Sequence, residues 1–166
     1  QAIGHLANAS GVRSLAAGEA AAASGLESVA VGNQSVASGQ DGVALGTQAG
    51  ATGTSSTAIG GESDATEAGT TAVGWQSQAT AERAQAFGHL ANASGVRSVA
   101  VGEAAASSGQ QSVALGNQAS ATDTNSIAIG NTAEANGGDA IAIGGNRDGA
   151  TGRATVASGP STTVVG

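Results

Sequence analysis

The side chains able to do chemistry are few, and their spacing does not bring them together. His5 and His89 occupy one position in a duplicated segment, "GHLANASGVRS", found at Gly4–Ser14 and again at Gly88–Ser98. A metal centre needs three or four ligands converging on one point. These two histidines sit at turns in distant repeats, and neither has an acidic residue at a recognised ligand spacing. Asp123, Asp139 and Asp148 fall where turns are expected, and there Asp serves as a local hydrogen bonder. Calcium loops of the nonapeptide kind are absent. No Ser has a His and an acid at a spacing that a catalytic triad can use. With no Cys, thiolate metal sites and disulfides are excluded. The chain is therefore expected to be no enzyme, with no catalytic residue, cofactor or metal.

Composition narrows the class further. Of 166 residues 28 are Gly, with one Phe, one Trp, one Pro and no Met or Tyr. A compact core of Ala and Gly buries too little area to offset chain entropy of about 1–2 kcal/mol per residue. The alternatives are disorder or a repeat architecture. Net charge is −7, and all five cations are Arg, so nucleic acid and anionic membrane surfaces are unsuitable partners.

A strict period decides for the repeat. Gly recurs at 4, 18, 32, 46, 60, 74, 88, 102, 116, 130 and 144 in an unbroken 14-residue step, and one longer step reaches Gly159. A second series sits half a repeat further on, at Gly11, Gly25, Gly39, Gly53, Gly95, Gly109 and Gly137. Ala stands two before the first glycine in every repeat, flanked by larger residues on both sides except at Ala17, as in "IAI" at 127–129. That alternation of β-branched residues specifies a strand. Small residues three and five after the Gly, such as Ala119 and Ala121, mark a second strand. Each 14-residue coil then holds two strands of about four or five residues, with glycine or small polar residues supplying positive φ at two turns. Coils stack with parallel pairing, making an all-β parallel β-roll, or solenoid, of about 11–12 coils. Residues 1–159 are expected to form the roll and 160–166 a truncated continuation towards the next coil or a neck. The pattern is cut at both ends, as expected of a piece of a longer protein.

The alternation has a further consequence. Two strands per coil leave room only for small side chains inside, so the larger ones face outward. Val29, Val31, Val43, Leu45, Phe87, Val99, Val101, Val113, Leu115, Ile127, Ile129, Ile141 and Ile143 should form one apolar stripe along the rod. A stripe of that extent calls for cover. Parallel copies of the chain around a rotation axis supply it, in a number that the arithmetic leaves open.

One zone departs from the pattern. Between Gly61 and Gly88 the sequence carries Glu62, Asp64, Glu67, Glu82 and Arg83, and the stripe is thinned by Thr57, Thr71 and Gln85. Trp75 sits there in the turn position of His5 and His89. Aromatics dominate binding hot spots, which makes Trp75, Glu62, Asp64, Glu82 and Arg83 a candidate ligand patch. The competing reading has Trp75 covering apolar surface of a neighbouring coil or chain.

The runs "SVAVGNQSVASG" (28–39), "SVALGNQASA" (112–121) and "NSIAIGN" (125–131) closely resemble the head repeats of trimeric autotransporter adhesins, the YadA-like family. The resemblance covers residues 1–159. It implies a left-handed roll, a parallel homotrimer, and a head held outside the Gram-negative outer membrane by a stalk and β-barrel anchor lying outside these residues. It also implies attachment to host extracellular matrix proteins or cell-surface receptors. Three other roles compete. A hexapeptide-type acyltransferase would need period six and an intersubunit His. An ice-binding solenoid would need flat ranks of Thr, whereas Thr52, Thr66, Thr80 and Thr122 are scattered. A spacer extending a distal tip would need nothing more than the repeat, and the block duplication suits it.

Overall fold

The computed structural model describes residues 1–146 and 154–166; Asp148 lies outside them. Two parallel sheets run the length of the chain. The first has twelve strands, from Ala2–Ile3 to Thr163–Val165, and the second eleven, from Asn8–Ala9 to Val156–Ala157. Every strand pairs with its counterpart in the adjacent coil, as when Ile127, Ala128 and Ile129 meet Ile141, Ala142 and Ile143. The protein is an all-β parallel solenoid with the coil length that the period predicts.

The strands are shorter than expected, three residues in the first sheet after its opening strand and two in the second. The turns take the difference, because each coil bends left-handed in its backbone at two places that are almost never glycine. Leu6, Ala20 and Gln34 at one turn, and Arg13, Glu27 and Asp41 at the other, have φ between 53° and 59°. The expectation that glycine or small polar residues supply the positive φ is thus only half right. The series Gly4, Gly18, Gly32 has φ of 127–140° and does need glycine. The series Gly11, Gly25, Gly39 has no positive φ. Its glycines are required by stacking: a Cβ on Gly25 would sit 2.0 Å from the carbonyl oxygen of Gly39 in the next coil.

Between the sheets the side chains are small, apart from Val164 in the last coil. Ala30, Ala44, Ala100, Ala114 and Ala128 are fully buried, as are Ala23, Ala51, Ala79 and Ala121 opposite them. Most coils add a hydroxyl just before the strand of the first sheet, the exceptions being Gly42, Ala84 and Ala140. Ser28, Ser112 and Thr70 are buried, and donate to the carbonyls of Gly25, Gly109 and Glu67 at 2.8, 2.7 and 2.6 Å. Buried hydroxyls are normally satisfied, and these three are satisfied by closing their own turns, whereas Ser56 and Ser98 at the same position find no partner within the chain.

The regular step fails once. The register carries Ile143 to Val165 and Gly137 to Gly159, so Gly159 belongs to the second glycine series. Gly144 is matched by Gly166, since the Gly166 N–H donates to the Ile143 carbonyl at 3.0 Å. The longer step to Gly159 is therefore a chance spacing, and the coil there carries an insertion.

Candidate functional site

The roll presents four surfaces, two sheet faces and two turn edges. On the outer face of the first sheet lie the residues of the expected stripe. Val29, Val43, Leu45, Val99, Val113, Leu115, Ile127, Ile129 and Ile141 are half-buried, while Val31, Phe87, Val101 and Ile143 are 37–39% exposed. None points into its own coil. The two columns that make this face contain no charged residue, and Thr57, Thr71 and Gln85 interrupt one of them. Gln85 Nε2 donates to the Gly69 carbonyl at 3.0 Å.

The outer face of the second sheet is different, carrying Asn8, Val36, Gly50, Asp64, Gln78, Asn92 and Glu134 in one rank. Glu62, Asp64, Gln76, Gln78, Leu90 and Asn92 line a shallow depression on this side. Gln76 Nε2 donates to Glu62 Oε2 at 2.6 Å. Partial burial raises the Asp64 carboxyl above the ordinary carboxylate value.

The edge where the first sheet passes to the second is a ladder of residues one per coil. Trp75, 48% exposed, stacks on His89 with ring centroids 5.0 Å apart and planes 20° from parallel. A side chain at position 61 would press on the indole, with a Cβ 3.2 Å from Trp75 Cδ1, so Gly61 leaves it room. His89 Nδ1 lies 3.6 Å from Glu103 Oε1, and Asn117 Nδ2 donates to Glu103 Oε2 at 3.1 Å. The first copy of the duplicated segment repeats this in His5, Glu19 and Asn33, at 4.0 and 3.3 Å.

The candidate ligand patch is thereby divided. Trp75 and Glu62 share one turn edge, and Asp64 adjoins them on the sheet face. Glu82 and Arg83, 3.7 Å apart, lie on the opposite edge, stacked on Ala68 and Gly69 of the preceding coil. Gln76, Gln78, Leu90 and Asn92 were not read from the sequence as part of this region. They stand one or two repeats beyond Glu62 and Asp64, and that spacing is the signal that could have found them.

The histidine–glutamate pairs follow the same rule, since one repeat along the chain is contact distance in this fold. Each histidine has one acidic neighbour, and among the described residues no three His, Cys, Asp or Glu converge as a metal site. Asp123 and Asp139 are turn residues. Asp123 Oδ1 accepts from the Thr124 N–H at 2.8 Å, and Asp139 Oδ1 from Asn125 Nδ2 at 2.9 Å.

The YadA head domain repeat matches this chain in overlapping segments, the first at 2–21, 9–35 and 23–49 and the last at 107–133 and 124–146. The chain belongs to the YadA head family. No curated protein sequence matches it. The YadA head is an adhesin module carried by surface-displayed outer-membrane autotransporters, and most matched segments span about two coils. The repeat motif is thus the stacking unit itself, with its glycines at the turns and its alanines between the sheets.

Proposed function

We propose that this YadA head is the binding part of a bacterial surface adhesin, a homotrimer of parallel rolls displayed outside a Gram-negative outer membrane. Its stalk and barrel anchor would lie outside these residues. The observation that carries the reading is the uncharged apolar face of the first sheet. Covering an exposed Val or Ile contributes up to about 1.5–3 kcal/mol, and rotation of identical rolls about an axis along the rod covers all of them at once. The second sheet and the Trp75 edge are left facing outward. The thirteen stripe residues from Val29 to Ile143 are the proposed interface.

The partners in this reading are host extracellular matrix proteins or cell-surface receptors, met by many shallow contacts. Three copies of each contact per trimer let weak individual sites sum to firm attachment. Trp75, on the edge next to Glu62 and Asp64, is the proposed contact region, since an exposed aromatic at the rim of a polar depression offers both apolar area and hydrogen bonding. Sedimentation equilibrium should return three times the 15.4 kDa chain mass; a folded monomer at all concentrations defeats the assembly. Binding to a panel of matrix proteins and epithelial cells should fall at least tenfold in Trp75→Ala with the melting temperature unchanged. Binding that survives this change removes Trp75 from the contact.

The second reading is a spacer that extends a distal tip and binds nothing. The duplicated ladders His5–Glu19–Asn33 and His89–Glu103–Asn117 favour it for part of the length, because copying a block of coils lengthens a rod without adding chemistry. Absence of binding to every member of the panel by the native trimer selects this reading.

A further inference from the structure

A rod built from near-identical coils has a register problem. Most rungs of the stripe hold Val, Leu or Ile, so a chain displaced along its sister by one coil would meet much the same surface. In such repeats a slip is resisted only where rungs differ from one another. The structure places three of the differing rungs together, with Thr163 apart from them in the last coil. Thr57, Thr71 and Gln85 are successive neighbours in one column, and Phe87 is the largest residue in the adjoining column, beside Val73 and Val101.

We propose that Thr57, Thr71 and Gln85 set the register in which sister chains pair. The inference rests on the trimer reading above. The occupant of this face is a second copy of the chain, because a column repeating once per coil is met rung for rung only by a partner with the same rise. The absence of charge from both columns lets copies with a net charge of −7 approach there. In register, the three polar rungs of each chain stand level with those of its sisters. No hydrogen bond within the described chain engages the Thr57 and Thr71 hydroxyls, while the Gln85 amide is oriented by its bond to Gly69. A slip of one coil sets Thr57 against Val43, or Gln85 against Val99, and a slip of two coils sets Thr57 and Thr71 against Val29 and Val43, or Thr71 and Gln85 against Val99 and Val113. Each slip therefore strands polar groups on aliphatic surface. A single polar layer specifying register in an apolar seam is the established use of such groups in coiled coils.

The native chain has no cysteine, which makes the test direct. Val31→Cys and Ile59→Cys chains, one carrying a mass tag, are refolded together and oxidised. These positions are two coils apart, roughly 9.6 Å along the axis, so in-register chains cannot bridge them within a Cα separation of about 7 Å. With the native stripe, 31–31 and 59–59 disulfides should form and the 31–59 product should be absent. In the Thr57→Val, Thr71→Val, Gln85→Val background the 31–59 product should rise at least tenfold. Larger species should also appear in sedimentation velocity, because staggered chains leave uncovered rungs that recruit further copies. Valine occupies the same column at 43 and 99, so the strands tolerate it. Thr57→Ser, Thr71→Ser, Gln85→Asn should keep the native pattern. A triple-valine protein that remains a closed trimer without the 31–59 product overturns the register proposal and leaves the trimer standing. A monomeric native chain overturns both.

Discussion

Gly102 is held by two constraints that a single methyl group would violate together. Its φ is +134°, a conformation that side chains rarely adopt, and a Cβ there would lie 2.4 Å from the Gly116 carbonyl oxygen in the next coil. Ordinary contact begins at 3.4 Å, so in Gly102→Ala the coils must part by about 1 Å, or the backbone must twist away. Strain of this kind costs about 1–3 kcal/mol. Parting the coils also stretches ladder bonds such as Gly116 N–H to the Val101 carbonyl and Gln118 N–H to the Glu103 carbonyl, both 2.8 Å, at roughly 1 kcal/mol each. The expected loss is about 3–5 kcal/mol. Gly138→Ala is the control, because nothing lies within 4 Å of its added Cβ and its φ is not positive. It should stay within roughly 0.5 kcal/mol of the parent. Both are compared by denaturant unfolding at one chain concentration, since assembly makes stability concentration-dependent. Hydrogen exchange then reports whether the coils around Phe87 to Asn117 open first, as nearest-neighbour coupling in a solenoid requires. If Gly102→Ala unfolds within about 1 kcal/mol of Gly138→Ala, stacking distance does not govern this fold.

Three further outcomes follow from the interior, the turns and the depression. Ala114→Val adds two methyl groups to a fully buried site between the sheets, and overpacking should lower stability by about 1–3 kcal/mol; an unchanged denaturation midpoint contradicts an interior with room only for small side chains. Ala104→Gly relieves a residue held at φ 52° and should stabilise by up to about 1 kcal/mol, in contrast to the penalty that glycine carries in an ordinary strand; a lower midpoint refutes it. Asp64 has its carboxyl raised by burial, so folding favours its neutral form. That contribution is fully present below the unfolded value of about 3.9 and is lost as pH rises through the higher folded value. Asp64→Asn should therefore melt higher than the parent at pH 7, with the difference closing towards pH 3; a lower melting point at pH 7 refutes the assignment.

Much of the architecture was legible because two periods act at once. A period of two in "VAV" and "IAI" assigns Ala30 and Ala128 to the inside and Val29, Val31, Ile127 and Ile129 to the outside, whatever the rest of the chain does. The longer glycine period then requires stacked coils, and the structure places these residues as the alternation demands. The turns were less legible, because glycine signals two different needs. At Gly32 it answers a positive φ, whereas at Gly25 it answers a carbonyl oxygen from the next coil. The left-handed residues beside them are Leu6, Arg13, Ala20 and Glu27, types that carry no local turn signal. Their conformation is held by the ladders on either side.

The candidate site was legible only as a stretch of unusual composition. By itself the sequence determined strand type, the inward and outward faces and the repeat length, because these depend on neighbours along the chain. Contacts across coils were decided by the tertiary structure, since they depend on register and on which edge a turn occupies. It brought His89 to Trp75 and Glu103, gathered Gln76, Gln78 and Asn92 around Asp64, and sent Glu82 and Arg83 to the far edge. It also moved the last coil's glycine from 159 to 166. Side chains one repeat apart in the chain lie one strand spacing apart in space, and that distance exists only once the coils have stacked.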